Sequence, residues 1–308
     1  MPVGPTSTEV DRCRDTIESI VGLEPAVRWI VLVDDDAAPR DLLSAVGAAA
    51  TDVEVVRLDH PLASGVASIY ERLTASVLVG LRWVVRHTPA DVVMKIDTDA
   101  LVIAPFADKL SRALAGPAVG LIGAYDRTCN GEERSFDAWV GLVQRAATRR
   151  RLAGGPHARR ARRLVREARA AGYEWGEHVL ACALAMPRVA LDAIDAGGGL
   201  DDPLAFVGAE LADDPMLAIL VRRAGYRLAG HVGEGDTFAV AWRGLPDTPG
   251  RLVARGYSII HSVKNDPRVP ESEIRRYFAA GRARPISARS WRTNSPSLST
   301  SRPGSQSP

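Results

Sequence analysis

Two Asp-x-Asp triplets, Asp34-Asp35-Asp36 and Asp97-Thr98-Asp99, and the acid pair Asp213-Asp214 are the groups in this chain best suited to chemistry. Residues i and i+2 of an extended strand point the same way, roughly 6–7 Å apart. Two carboxylates so placed can hold a hard divalent cation and the phosphates it bridges. Spacing alone is weak: with 23 aspartates in 308 residues, chance supplies about two such triplets. Context separates them. Asp97-Thr98-Asp99 lies between the apolar runs 91–96 and 100–103, and two acids there are costly without a cation. Use in a turn or as a helix cap is the ordinary alternative for a strand-end Asp. Asp214 precedes Pro215 and an apolar run. Proline suits the first helical position, so the pattern predicts Asp214 as the N-cap. His261 ends the apolar stretch 257–261, and Lys264 follows three residues later. A lone strand-end histidine is otherwise structural, and His231, which also follows a strand, competes for any role.

Alternating strand and helix patterns must position these groups, which argues an α/β fold with a largely parallel sheet. The patterns predict helices over 11–21, 41–49, 66–86, 106–114, 187–194 and 215–223. They predict strands over 29–33, 53–58, 91–96, 119–122, 226–231 and 257–261. The 66–86 helix is the clearest: Ile69, Leu73, Val77, Leu81 and Val84 recur every three or four residues. In such sheets the ligand crevice lies beyond the carboxyl ends of the strands, where both Asp-x-Asp triplets fall. Residues 145–169 hold ten arginines and one acid, Glu167. They read as a solvated helix pair broken at Gly154-Gly155-Pro156, or as a basic lid for an anionic partner. Residues 281–308, rich in Ser, Arg and Pro, read as a disordered tail.

Composition excludes several classes. Lys and Arg number 39 against 37 Asp and Glu, so bulk attraction to nucleic acid is not expected. Cys13, Cys129 and Cys182 form no CxxC or Cys/His cluster, which argues against a zinc finger, an iron–sulfur site or a disulfide framework and for a reducing, cytoplasmic setting. No secretory signal is evident, and no apolar run approaches the ~18 residues of a membrane span. The Ala- and Arg-heavy usage suggests a bacterial gene.

In order and spacing, the strand ending in Asp34-Asp35-Asp36, Gly65 opening a long helix, and Lys95-Ile-Asp97-Thr-Asp99-Ala-Leu-Val resemble the GT-A nucleotide-sugar glycosyltransferases. The pattern is similar to the bacterial family-2-like enzymes and to the fringe/β-1,3-galactosyltransferase group. The likeness runs over residues 3–266, and what it implies is an expectation at this point. It implies one Rossmann-like GT-A domain over 1–280, with a mostly parallel central sheet and helices on both faces. Residues 1–125 would form the nucleotide-sugar half, 141–171 an Arg-rich helical insert, and 170–266 the acceptor and catalytic half. The first strand of such folds would be very short here, since only Met1-Pro-Val3 precedes the first helix, or the start lies upstream.

The resemblance also implies roles. Asp97 and Asp99, completed by His261, would hold Mn²⁺ or Mg²⁺, with Asp97 and Lys264 toward the diphosphate. Asp34 and Asp35 would lie near the base or ribose. Asp214 would be the catalytic base of an inverting reaction. Trp175 and Glu177 would line the acceptor side. The partners are then a nucleotide sugar, most plausibly a UDP-sugar, and an unidentified hydroxyl acceptor. A haloacid-dehalogenase-like phosphohydrolase and a non-catalytic nucleotide-sugar-binding protein are the competing readings.

Overall fold

The computed structural model describes residues 1–35, 41–46, 53–60, 62, 68–148, 156–207, 209 and 211–282. Asp36, Gly65, Glu210, the break at 154–155 and the 283–308 part of the expected tail lie outside the described residues. Local sequence sets the first elements. Thr6 caps α1 (Ser7–Leu23) by accepting from the Glu9 amide, which starts the helix four residues earlier than its apolar period indicates. The chain before it forms β1 (Pro2–Val3), the very short strand that the sequence allowed. Then come β2 (Trp29–Asp34), α2 (Leu42–Val46), β3 (Glu54–Asp59) and α3 (Ile69–His87). Ser68 and Glu71 close a reciprocal capping box on α3. The helix buries Thr74, Val77, Leu78 and Leu81, while Ile69 in its first turn stays exposed.

The second half of the chain begins with β4 (Val92–Ile96), β5 (Leu101–Val102), α4 (Ala107–Leu114) and β6 (Val119–Gly123). The helices α5 (Asp137–Thr148) and α6 (Pro156–Ala170) follow, then β7 (Ala183–Pro187), α7 (Arg188–Ala196) and α8 (Asp213–Arg223). The chain closes with β8 (Arg227–Gly230), β9 (Phe238–Val240), α9 (Pro249–Ala254), β10 (Ile259–His261) and α10 (Glu271–Arg282). Residues 281–282, expected in the tail, are the end of α10.

The strands pair in the orders β1-β2-β3, β4-β7-β6-β8 and β5-β10-β9. Among the described residues, four of the seven pairings are parallel: β1–β2, β2–β3, β6–β8 and β9–β10. Two antiparallel insertions decide where the site falls. After the α5–α6 pair the chain returns as β7 between β4 and β6, antiparallel to both. That lays the 181–182 segment beside the end of β4. Strand β10 runs antiparallel to β5, with Ile260 opposite Leu101. Continued by two residues, this register sets Ser262 opposite Asp99.

Among the described residues the Arg-rich stretch comprises the end of α5 and most of α6, and α6 is docked rather than peripheral. Its spacing i, i+3, i+4, i+7 buries Ala161, Leu164, Val165 and Ala168 completely, and Arg223 of α8 pairs with its Glu167 at 2.5 Å. Helix α8 is apolar nearly all round and buried from Asp213 to Val221. Burying Met216, Leu217, Ile219 and Leu220 stabilises by roughly 1.5–3 kcal/mol each, and this packing carries the acid pair at the helix start into the interior. No helix among the described residues is long and apolar enough to cross a membrane.

Candidate active site

The Asp97–Ala100 turn is held from four sides. The Asp97 amide donates to the Cys182 carbonyl at 2.9 Å, and the Val263 amide donates to the Asp99 carbonyl at 2.9 Å. The Thr16 hydroxyl of α1 lies 2.9 Å from the carbonyls of both Thr98 and Ala100. The Thr98 hydroxyl donates to Glu9, and Arg275 of α10 reaches the Thr98 carbonyl at 3.4 Å. Thr98 therefore faces α1, and the acids flanking it turn the other way.

There Asp97, Asp99 and His261 converge, with one ligand atom from each inside a 4.8 Å span. His261 Nδ1 is 2.8 Å from the Ala241 carbonyl, so Nδ1 carries a hydrogen and Nε2 faces Asp99 Oδ1 at 3.2 Å. Two acceptors cannot face each other, so a proton or a cation must lie between them. As a proton site, the imidazole is pulled down by burial. Cys182 and Asp99 outweigh this and hold it well above its ordinary range. Asp99 is pushed up by burial but pulled further down by His261, Lys264 and Ser262. Ser262 donates to Asp99 Oδ2 at 2.7 Å, and Lys264 Nζ lies 3.1 Å from the same oxygen. Asn265 takes a left-handed φ of 58°, which asparagine tolerates, and turns the chain just after that lysine. Two carboxylates and an imidazole oriented through its far nitrogen are a donor set that fits a first-row divalent cation.

The acid pair at the start of α8 is linked to this cluster by Lys95. Lys95 lies in β4 and Asp97 one residue beyond its end, and the ammonium lies 2.6 Å from Asp97 Oδ1 and 3.0 Å from Asp213 Oδ2. Burial disfavours that ammonium, but Asp213 and Asp97 raise its pKa well above the ordinary lysine value. Asp97 itself is pushed up by burial and by Asp99 and Asp213, against Lys95. Asp214 accepts the Ala181 amide hydrogen from the segment before β7. Burial, and then the charge of Asp213, raise its pKa to about 7. One expectation is corrected here. The N-cap of α8 is Ala212, and Asp214 lies inside the first turn. The first-turn amides have no intrahelical partner, so Pro215 fits there without fixing the helix start. The Asp214 carboxylate is thereby released from capping and bonded across to Ala181.

The other expected residues are placed less openly. Asp34 is fully buried and paired with Arg57 at 3.0 Å. Asp35 is partly exposed, pairs with Arg72 of α3 and lies 3.7 Å from His60. Glu177 is also fully buried. Its oxygens accept from Arg222 at 2.8 Å twice, from Tyr125 at 2.9 Å and from the Glu174 amide at 2.8 Å. It braces α8 against the chain after β6. Trp175 carries the Arg169 guanidinium 4.7 Å above its ring. His231 does not join the cation cluster: it bonds Thr237 at 3.1 Å and lies 3.3 Å from Asp236. Sequence reasoning passed over Lys95, Ser262 and Arg134. Arg134 donates to the Tyr125 and His178 carbonyls and lies 2.7 Å from the His178 ring. A charged residue two positions before Asp97 in a buried strand was the signal available for Lys95.

No family model matches this chain, and no curated protein does. Among solved structures it is similar to apo WbbM, a bifunctional glycosyltransferase, at 12% identity and TM-score 0.48 over 91% of this chain and 49% of that one. It is also similar to the mannosyltransferase PcManGT of Pyrobaculum calidifontis, solved with GDP-Man and Mn²⁺, at 19% identity and TM-score 0.36 over 82% and 59%. A third likeness is mouse xyloside xylosyltransferase 1, at 10% identity and TM-score 0.44 over 78% and 86%. All three are named as glycosyltransferases. The chain spans about half the length of the first and three fifths of the second.

Proposed function

We propose that this protein is a GT-A-type glycosyltransferase that moves a sugar from a nucleoside-diphosphate sugar, a UDP-sugar by preference, to an acceptor hydroxyl with inversion. One observation carries the reading: a carboxylate–carboxylate–imidazole cluster lies one buried lysine away from a second carboxylate pair whose Asp214 has a pKa of about 7. Such a transfer needs two charges handled on opposite sides of one carbon. Asp97, Asp99 and His261 would hold a divalent cation, Mn²⁺ in preference to Mg²⁺ because one ligand is an imidazole. That cation supplies Lewis-acid neutralisation of the departing diphosphate.

This chain's residues do the rest. Lys264, at the open edge of the cluster, pairs with a diphosphate oxygen once Asp99 is engaged. Asp214 accepts the proton of the acceptor hydroxyl and orients its oxygen for in-line attack. Asp35 is the better candidate for ribose or base, since Asp34 is buried under Arg57. Trp175 remains a candidate sugar-stacking ring. Glu177, with its oxygens engaged, contributes by holding α8 in place.

The test is thermal stability against UDP, GDP and dTDP, each with and without Mn²⁺. A nucleotide at 100 times its dissociation constant should stabilise by about 2.7 kcal/mol, and only in the presence of the cation. Identical melting in all six conditions would remove the reading.

A further inference from the structure

We propose that Lys95 is a positioning residue: its buried ammonium ties the cation-side carboxylate Asp97 to Asp213, and so holds the base Asp214 at a fixed place beside the donor site. The role given to Asp214 rests on the glycosyl-transfer reading above; the link itself rests on geometry. Lys95 is 5% exposed and lies within ion-pair distance of both acids, 2.6 Å from Asp97 and 3.0 Å from Asp213. It comes from a strand of one half of the chain and meets a helix start from the other. Among the described residues, no other cation pairs with Asp213. Removing the ammonium leaves the buried Asp213 and Asp214 beside Asp97 without the cation that lies between Asp97 and Asp213. An apolar pair of similar volume would hold strand to helix at least as firmly, so firmness alone does not account for a lysine here. A cation placed between two acids fixes their separation and offsets the charge beside the base.

The groups that act on Asp214 are few. Asp213 lies on its own helix, Lys95 of β4 and Asp97 just beyond that strand act on it by charge, and the Ala181 amide donates to it from the segment before β7. The Arg134 guanidinium also feels its charge, and His178 lies on the Asp213 side. Of these, Lys95 alone touches both carboxylate sets. A lysine whose charge did not reach Asp214 would leave the ionisation of that carboxyl unchanged. A positioning lysine would not: without it, the charge of Asp213 is unopposed and Asp214 holds its proton to higher pH.

The experiment follows the carboxyl carbon of Asp214 by ¹³C NMR in the protein free of metal and donor, with the resonance assigned by its loss in Asp214→Asn. The parent should titrate near pH 7. In Lys95→Met the midpoint should rise by about one pH unit or more, and Lys95→Arg should return it most of the way. Lys95→Met/Asp213→Asn removes both charges if the single variant fails to fold, and should titrate at or below the parent, because Asp213 raises Asp214 more than Lys95 lowers it. An unchanged midpoint in Lys95→Met, or a double variant that titrates well above the parent, would overturn the proposal. Turnover is a separate arm. If the parent transfers sugar, Lys95→Met should lose roughly 10–100-fold in kcat, the size of effect seen when a supporting partner is removed, with a smaller change in donor KM. A parent inactive with every nucleotide sugar would sink the glycosyl-transfer reading and leave the NMR result to decide the role of Lys95.

Discussion

Replacing Asp214 with asparagine is expected to lower turnover by roughly 10²–10⁴-fold, the range for loss of a general base. Nucleotide binding should persist, because the proposed cation ligands Asp97, Asp99 and His261 do not include it. The fold should also persist. The Asp214 carboxylate caps no helix; it accepts one amide hydrogen, from Ala181, and an asparagine carbonyl can accept the same bond. The pH dependence sharpens the expectation. Burial, and then Asp213, raise the Asp214 pKa to about 7, against the Ala181 amide and Lys95. The ionised base is therefore scarce below pH 7, and kcat/KM should fall on the acid side with a midpoint near 7. Stability should move in the opposite sense. A carboxyl whose folded pKa lies above its unfolded value contributes stability that is full below the unfolded value and is lost as pH rises through about 7. Asp214→Asn does not titrate, so the variant should gain on the parent between pH 5 and pH 8.5 in urea denaturation. An inverting reaction gives a product whose anomeric configuration is opposite to the donor's, readable from an NMR coupling constant. Near-parental turnover in Asp214→Asn would take the base role from this residue.

Asp97→Asn and Asp99→Asn carry the second large effect. An amide offers oxygen without charge, and hard cations bind through charge. Each variant should weaken Mn²⁺-dependent nucleotide binding by more than the roughly 10–100-fold typical of losing an outer-sphere partner. Binding measured without the cation should change little. Asp99→Asn should be the more severe, because Asp99 also holds Ser262 at 2.7 Å and Lys264 at 3.1 Å and faces His261 at 3.2 Å. Titration calorimetry with UDP, with and without Mn²⁺, measures both quantities. Equal Mn²⁺-dependent affinity in the parent and both variants would move the cation elsewhere.

Much of this arrangement is legible in the amino-acid sequence, for identifiable reasons. The β4 strand and its terminal Asp97-Thr98-Asp99 were plain because an apolar run with acids at its end has few alternatives. The α8 helix was plain because its apolar run stops at Gly225. What sequence could not supply was long-range pairing. His261 meets Asp99 only because β10 runs antiparallel to the two-residue β5, an element too short to leave a periodic signal. The same brevity hid β9 and α9. The start of α8 was misplaced by one rule, proline at the first helical position, where any first-turn position satisfies the same physics. Glu177 looked available because a lone acid in sequence is normally solvated. Its burial depends on Arg222, 45 positions away. Lys95 was passed over as part of a strand, although a lysine in a buried strand implies buried acids, and its partners stood two residues on and at the head of α8.

Asp97, Asp99 and His261 are proposed to form a divalent-cation site that serves a nucleotide diphosphate. Its most direct test is an anomalous-difference map from crystals of this chain grown with Mn²⁺ and UDP. One Mn²⁺ peak is expected, bonded to Asp97, Asp99 and His261 Nε2, with diphosphate oxygens completing its shell. A nucleotide bound elsewhere, or a cluster without a peak under saturating Mn²⁺ and UDP, would contradict it.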